Sequence, residues 1–100
     1  MQTIWLDGRK MLSIRQTHVY LKRKLKLPDY YGGNLDALWD LLSTTSEHMR
    51  INLLNQAQLR DNLGDYSEGL IQVFLDAGNS NQNINFKIIH KLRFTRVDIL

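Results

Sequence analysis

Cysteine is absent from the 100 residues of this chain, which removes any disulfide framework and any thiolate metal site. A reducing, cytoplasmic setting is the matching expectation. Proline occurs once, at Pro28, and the residue before a proline is pushed out of the helical region, so a helix should end near Leu27. No apolar run approaches the ~20 residues needed to cross a bilayer. Met1-Gln2-Thr3-Ile4-Trp5-Leu6-Asp7 has neither the basic start nor the long apolar centre of a signal peptide. Repeats and low-complexity segments are missing too. Histidine is sparse: His18, His48 and His90 stand apart, with no serine or cysteine motif. With no nucleophile–base pair and no metal constellation in view, the expectation is a protein that is not an enzyme and holds no cofactor or metal. His18 itself reads as a satisfied, half-buried histidine rather than a ligand.

What is present describes a folded, soluble domain. Hydrophobic residues make up 43% of the chain and charged ones 23%, a balance that disordered chains do not have. The length suits one domain with a single modest core. The formal net charge of +3 conceals a division by sign. Residues 9–26 carry Arg9, Lys10, Arg15, Lys22, Arg23, Lys24 and Lys26 without an acid, whereas residues 27–49 carry Asp29, Asp36, Asp40 and Glu47 without lysine or arginine. Lys87, Lys91, Arg93 and Arg96 make the end basic again. Local sign therefore says more about partners than the total does.

Periodicity gives an alternating order of elements. Thr3-Ile4-Trp5-Leu6 is β-prone and stops at Asp7-Gly8. Ser13 caps a helical pattern with Ile14, His18, Leu21 and Leu25 on one stripe. A second helix starts at Asn34. Ile51–Leu54 reads as a strand, followed by helices near Gln56–Leu63, stopped by Gly64, and from about Tyr66 to Ala77, with Gly78 as its closing residue. Asn79–Asn83 reads as a loop. Ile84, Phe86, Ile88 and Ile89 form a third strand that could continue through Leu92 and Phe94. The order β-α-α-β-α-α-β predicts a small α/β domain with a three-stranded parallel sheet and helical crossovers. Residues 1–90 are the expected domain, and 91–100, with Val97, Ile99 and Leu100, a C-terminal extension, either strand continuation or tail.

The stretch that packing leaves unexplained is Pro28-Asp29-Tyr30-Tyr31-Gly32-Gly33-Asn34-Leu35-Asp36-Ala37-Leu38-Trp39-Asp40. Asn34 offers its side-chain oxygen to a starting helix. Leu35, Leu38, Trp39 and Leu42 then form one apolar stripe. Asp36, Asp40 and Ser43 fall on the other face. Two aspartates at i, i+4 repel by about 0.2–0.5 kcal/mol in an isolated helix. A solvated face is the ordinary reading of such a pair. A recognition patch for an arginine- or lysine-rich partner is the functional one. Two adjacent tyrosines in a glycine-containing loop are hard to bury together, so at least one should face solvent. The Lys22–Lys26 run leaves open an RNA-binding module, although no aromatic series interleaves it as single-strand binders require.

Leu27 through Asp40 resembles the signature of the barstar family, intracellular inhibitors of small secreted ribonucleases of the barnase type. The likeness extends over about residues 3–89, through Ile4–Gly8, His18, and Glu68–Ala77 with its Gln72-Val73-Phe74. It implies a barstar-like fold and a monomeric inhibitor that forms a one-to-one complex, its acidic helix and preceding loop occluding a cationic nuclease site. By position, Asp40 matches the aspartate that takes a phosphate subsite and Asp36 its partner one turn earlier. Tyr30 matches the loop aromatic that packs on the nuclease, Trp39 and Ser43 match neighbouring contacts, and Asp76 matches a second-site acid. Gly32, Asn34 and Leu35 complete the expected partner-binding set. The chain departs from the pattern in three ways. Thr45 replaces an interface tryptophan, Ser80 replaces an acid, and the total charge is basic where the well-studied inhibitor is acidic. The resemblance therefore leaves open which nuclease is met, including an immunity role against another toxin in a toxin–antitoxin pair.

Overall fold

The computed structural model describes residues 1–90, and the expected extension 91–100 lies outside them. Strand β1 (Gln2–Asp7) is followed by a single 3-10 turn (Gly8–Lys10), then helices α1 (Ile14–Lys24) and α2 (Leu35–Thr44). Strand β2 (Met49–Leu54), helices α3 (Gln56–Leu63) and α4 (Asp65–Ser80) and strand β3 (Ile84–Ile88) complete the order. The strands are parallel and lie in the sheet as β1-β2-β3, with Ile4 opposite Ile51 and Ile51 opposite Phe86. Sequential strand order with right-handed crossovers puts every connecting helix on the same face of the sheet. Burial agrees: Ile4, Leu6, Met49, Ile51, Leu53 and Ile84 point inward and are buried, while Thr3, Trp5, Arg50, Asn85 and Lys87 are exposed on the other side.

The core lies between that inner face and the four helices, around Leu6, Met11, Leu21, Leu38, Leu42, Ile51, Leu59, Leu70 and Phe74. Phe74 of α4 stacks on Phe86 of β3 with ring centroids 4.9 Å apart, joining the helix layer to the edge strand. α2 packs against α4, and α4 against α3 and β3. Near the first turn, a Cβ on Gly8 would stand 2.2 Å from the Asn55 carbonyl oxygen, so only glycine lets these two backbones approach.

Three local expectations are corrected. Ile14 is 48% exposed and stays off the buried stripe of α1. Its place is taken by two polar residues that can be buried because they are bonded: Thr17 donates to the Ser13 carbonyl at 2.7 Å, and the Tyr20 hydroxyl accepts from the Asp7 N–H at 3.0 Å. Gly78 does not close the last helix; α4 continues to Ser80. Asn79 and Ser80 are therefore helical, not loop. Asn81 makes the stop, its side-chain amide donating to the carbonyls of Leu42 at 2.9 Å and Thr45 at 3.0 Å. The third strand ends at Ile88, and Leu92 and Phe94 fall outside the described residues.

Candidate functional site

Between α1 and α2 the chain makes two left-handed residues, each with a role. Lys26 (φ 54°) turns the chain out of α1, where the Leu27 N–H donates to the Lys22 carbonyl at 2.9 Å. Gly33 (φ 69°) turns it into α2, a conformation natural to glycine. Between them the Tyr31 N–H donates to the Pro28 carbonyl at 3.0 Å, closing a turn. Asn34 then accepts from the Ala37 N–H at 2.8 Å, capping the helix as its side chain predicts.

The loop is clasped from beneath by a side chain triad. The Tyr31 hydroxyl lies 2.6 Å from His18 Nδ1, and the Tyr66 hydroxyl 2.6 Å from His18 Nε2. A neutral imidazole offers one N–H and one lone pair, so one tyrosine donates and the other accepts. Burial, with no carboxylate beside it, pushes the His18 pKa below its ordinary value. Desolvation likewise pushes both tyrosine hydroxyls up, and for Tyr31 the neighbouring Tyr66 adds to the effect. All three groups therefore stay uncharged near neutral pH and tie α1, the loop and α4 together. His18 is satisfied as expected, but at 4% exposure it is buried rather than half-buried. Tyr66, its second partner, carries no sequence signal: it lies 48 positions away at the start of a helix.

With Tyr31 held inward, its neighbour is turned outward. Tyr30 is 79% exposed. Gly32, Asn34, Asp36 and Asp40 are exposed, whereas Leu35, Trp39 and Ser43 are half-buried. Leu35 and Trp39 pack on the core, with the Leu35 Cδ1 close over Gly69 of α4. The Asp40 carbonyl accepts from Thr44 Oγ1 at 2.6 Å and from Ser43 Oγ at 3.4 Å, bonds in which its carboxylate takes no part. Asp76 is exposed on α4, the helix that carries α2, and accepts from Gln72 Nε2 at 2.8 Å. Thr45 is half-buried and follows α2 as its C-cap.

Electrostatically, the acidic face is unneutralised by the described residues. Their ion pairs are Asp7–Arg9, Lys22–Asp29 and Arg60–Glu68, and neither Asp36 nor Asp40 takes part. Among the described residues no group of three acids or histidines could hold a metal ion. The larger grooves are lined without Asp36 or Asp40. Chemically, α2 presents the carboxylates of Asp36 and Asp40 to solvent, and the loop before it presents the phenol of Tyr30.

Comparison with known proteins points to a family and to a curated relative. A family model described as barstar (barnase inhibitor) matches residues 1–91. "Putative ribonuclease inhibitor YrdF" of Bacillus subtilis (strain 168) is 38% identical over 90 residues, spanning 89% of this chain and 98% of that protein.

Proposed function

This chain belongs to the barstar family, and from that premise we propose that it is a non-catalytic ribonuclease inhibitor acting by occlusion. In this reading the loop and α2 enter the cleft of a small basic nuclease of the barnase type. Asp40 takes the place of a substrate phosphate, with Asp36 beside it and Tyr30 packed on the rim. Gly32, Asn34, Leu35, Trp39 and Ser43 shape the same surface, and Asp76 meets a second cationic site. A one-to-one complex and a cytoplasmic site of action go with it.

The observation that carries the proposal is the exposure of Asp36 and Asp40 on a helix whose start, end and underside are all fixed. Their mutual repulsion is a small standing cost in the free protein. Arginine, lysine or protonated histidine in a water-poor cleft would reverse it through charge-assisted hydrogen bonds. Because the helix is already ordered, little conformational entropy is lost on binding.

Asp40→Ala tests the proposal. Titrated into an RNA-cleavage assay, the variant should bind a barnase-type ribonuclease about 2–5 kcal/mol more weakly than the natural chain. The type complex of the family contributes to that range, so the magnitude comes with the family. Its melting curve should be nearly unchanged. Equal inhibition by both proteins would remove Asp40 from the mechanism.

A further inference from the structure

The cationic face of α1 has no part in the inhibitor reading, and its composition is unusual. Arg15, Val19 and Arg23 follow one another at helical spacing, and all are exposed. Around them Leu12 is 58% exposed, Ile14 48% and Val19 63%. The face thus mixes aliphatic side chains with guanidinium and ammonium groups. It lacks an open aromatic platform. Tyr20 is buried and covered by Arg23, 5.5 Å from its ring centroid, and by Lys24 at 6.0 Å. Bases would find nothing to stack on, and a bare polyanion would have no use for the three aliphatic groups. The fitting partner presents carboxylates and apolar surface together.

This molecule carries such a surface. The loop and α2 display Asp29, Asp36 and Asp40 with the exposed ring of Tyr30 and the half-exposed Trp39. The two faces also adjoin. A groove of about 570 Å³ is lined on one side by Ile14, Arg15, Val19 and Lys22 and on the other by Tyr31 and Gly33. Gly33 immediately precedes the Asn34 cap, with Asp36 in the first turn beyond it. Lys22 and Asp29, 3.8 Å apart, mark where the two signs meet.

We propose that a second copy of this chain docks here, as a two-fold pair in which the α1 face of each protomer lies against the loop and α2 face of the other. A two-fold axis through the border of two adjacent, oppositely charged patches opposes unlike charges on both sides at once, the self-complementarity that an isologous interface requires. Arg15, Lys22 and Arg23 of one protomer then face the partner's Asp36 and Asp40, with Val19 beside the partner's Tyr30. The pair covers the same carboxylates as a nuclease would, so the two associations exclude each other. Solvent-exposed charges dominate the contact, which makes it weak and sensitive to salt.

Sedimentation velocity on the full chain tests the pair without any nuclease, so its outcome is independent of the inhibitor reading. At low ionic strength and submillimolar protein a monomer–dimer equilibrium is expected, dissociating as salt approaches about 0.5 M. Arg15→Glu with Arg23→Glu, and separately Asp36→Lys with Asp40→Lys, should each raise the dimer dissociation constant by at least about tenfold. Mixing the two variants should restore a heterodimer, because both halves of the interface then oppose unlike charges again. Val19→Asp, at an exposed position, should weaken the dimer as well and guards against misfolding of a doubly substituted chain. A natural chain that stays monomeric at low salt overturns the proposal. So does a dimer indifferent to these substitutions, or variants that fail to associate when mixed.

Discussion

Tyr30 and Tyr31 are adjacent in sequence and opposite in fate, and His18 decides which is which. Its two ring nitrogens take the hydroxyls of Tyr31 and Tyr66, leaving Tyr30 to solvent. Tyr31→Phe or Tyr66→Phe strands one ring nitrogen in a buried site. Each should cost about 1–3 kcal/mol in a urea titration, and Tyr31→Phe should also loosen the loop. The histidine also gives stability a direction in pH. Its folded pKa lies below its ordinary 6.5, so the unfolded chain binds the proton more readily. Stability from this group is fully present above about pH 7 and falls as pH drops through 6.5 toward the folded value. Urea midpoints measured at pH 8 and pH 5.5 should differ in that sense, and His18→Gln should reduce the difference.

At the scale of elements, the acidic face is held by the Asn34 cap of α2 and by the packing of α2 on α4. Asn34→Ala removes the bond to the Ala37 N–H and should lower stability by about 0.5–2 kcal/mol, seen as a lower urea midpoint. Gly8→Ala drives a methyl group into the Asn55 backbone and should cost about 1–3 kcal/mol or more while leaving the acidic face untouched. Signals that are local in sequence were legible: Ser13 and Asn34 as caps, Gly64 as a stop, the 2.0 and 3.6 periods, and the element order with its parallel sheet. The exposed Asp36 and Asp40 were legible from their opposition to the Leu38–Leu42 stripe. What escaped the sequence depends on distant partners. Ile14 was expected inside because an apolar count gives no weight to Thr17 and Tyr20, and the Tyr20 hydroxyl meets the Asp7 N–H from thirteen positions away. Gly78 was read as a stop, but helix α4 is ended by Asn81 reaching the last turn of α2, a contact no window of residues contains. Tyr66 had no signal for the same reason.

Across the whole molecule, opposite signs sit side by side on a chain of net charge +3. Under the proposed function, a cationic nuclease approaching from afar would meet a repulsive total and an attractive patch, so steering would be short-ranged. Removing positive charge away from the acidic face, as in Lys10→Gln with Lys87→Gln, should raise the association rate with a basic ribonuclease a few-fold at low salt. The gain should vanish at about 0.5 M salt, where screening leaves only contacts within a few ångströms. Stopped-flow mixing would read both. A rate that falls on neutralisation would mean that the nuclease presents its own acidic surface to this protein.

The loop depends on Tyr66 through His18, and α2 on Gly69 and Asn81, which has a consequence for the order in which the acidic face is placed during synthesis. The acidic helix leaves the ribosome before the helix it rests on and before the amide that ties its last turn. A chain arrested short of α4 carries the carboxylates but not their placement. Only a chain translated through Asn81 holds the acidic helix in place, so under the proposed function occlusion would begin only once synthesis has passed that residue.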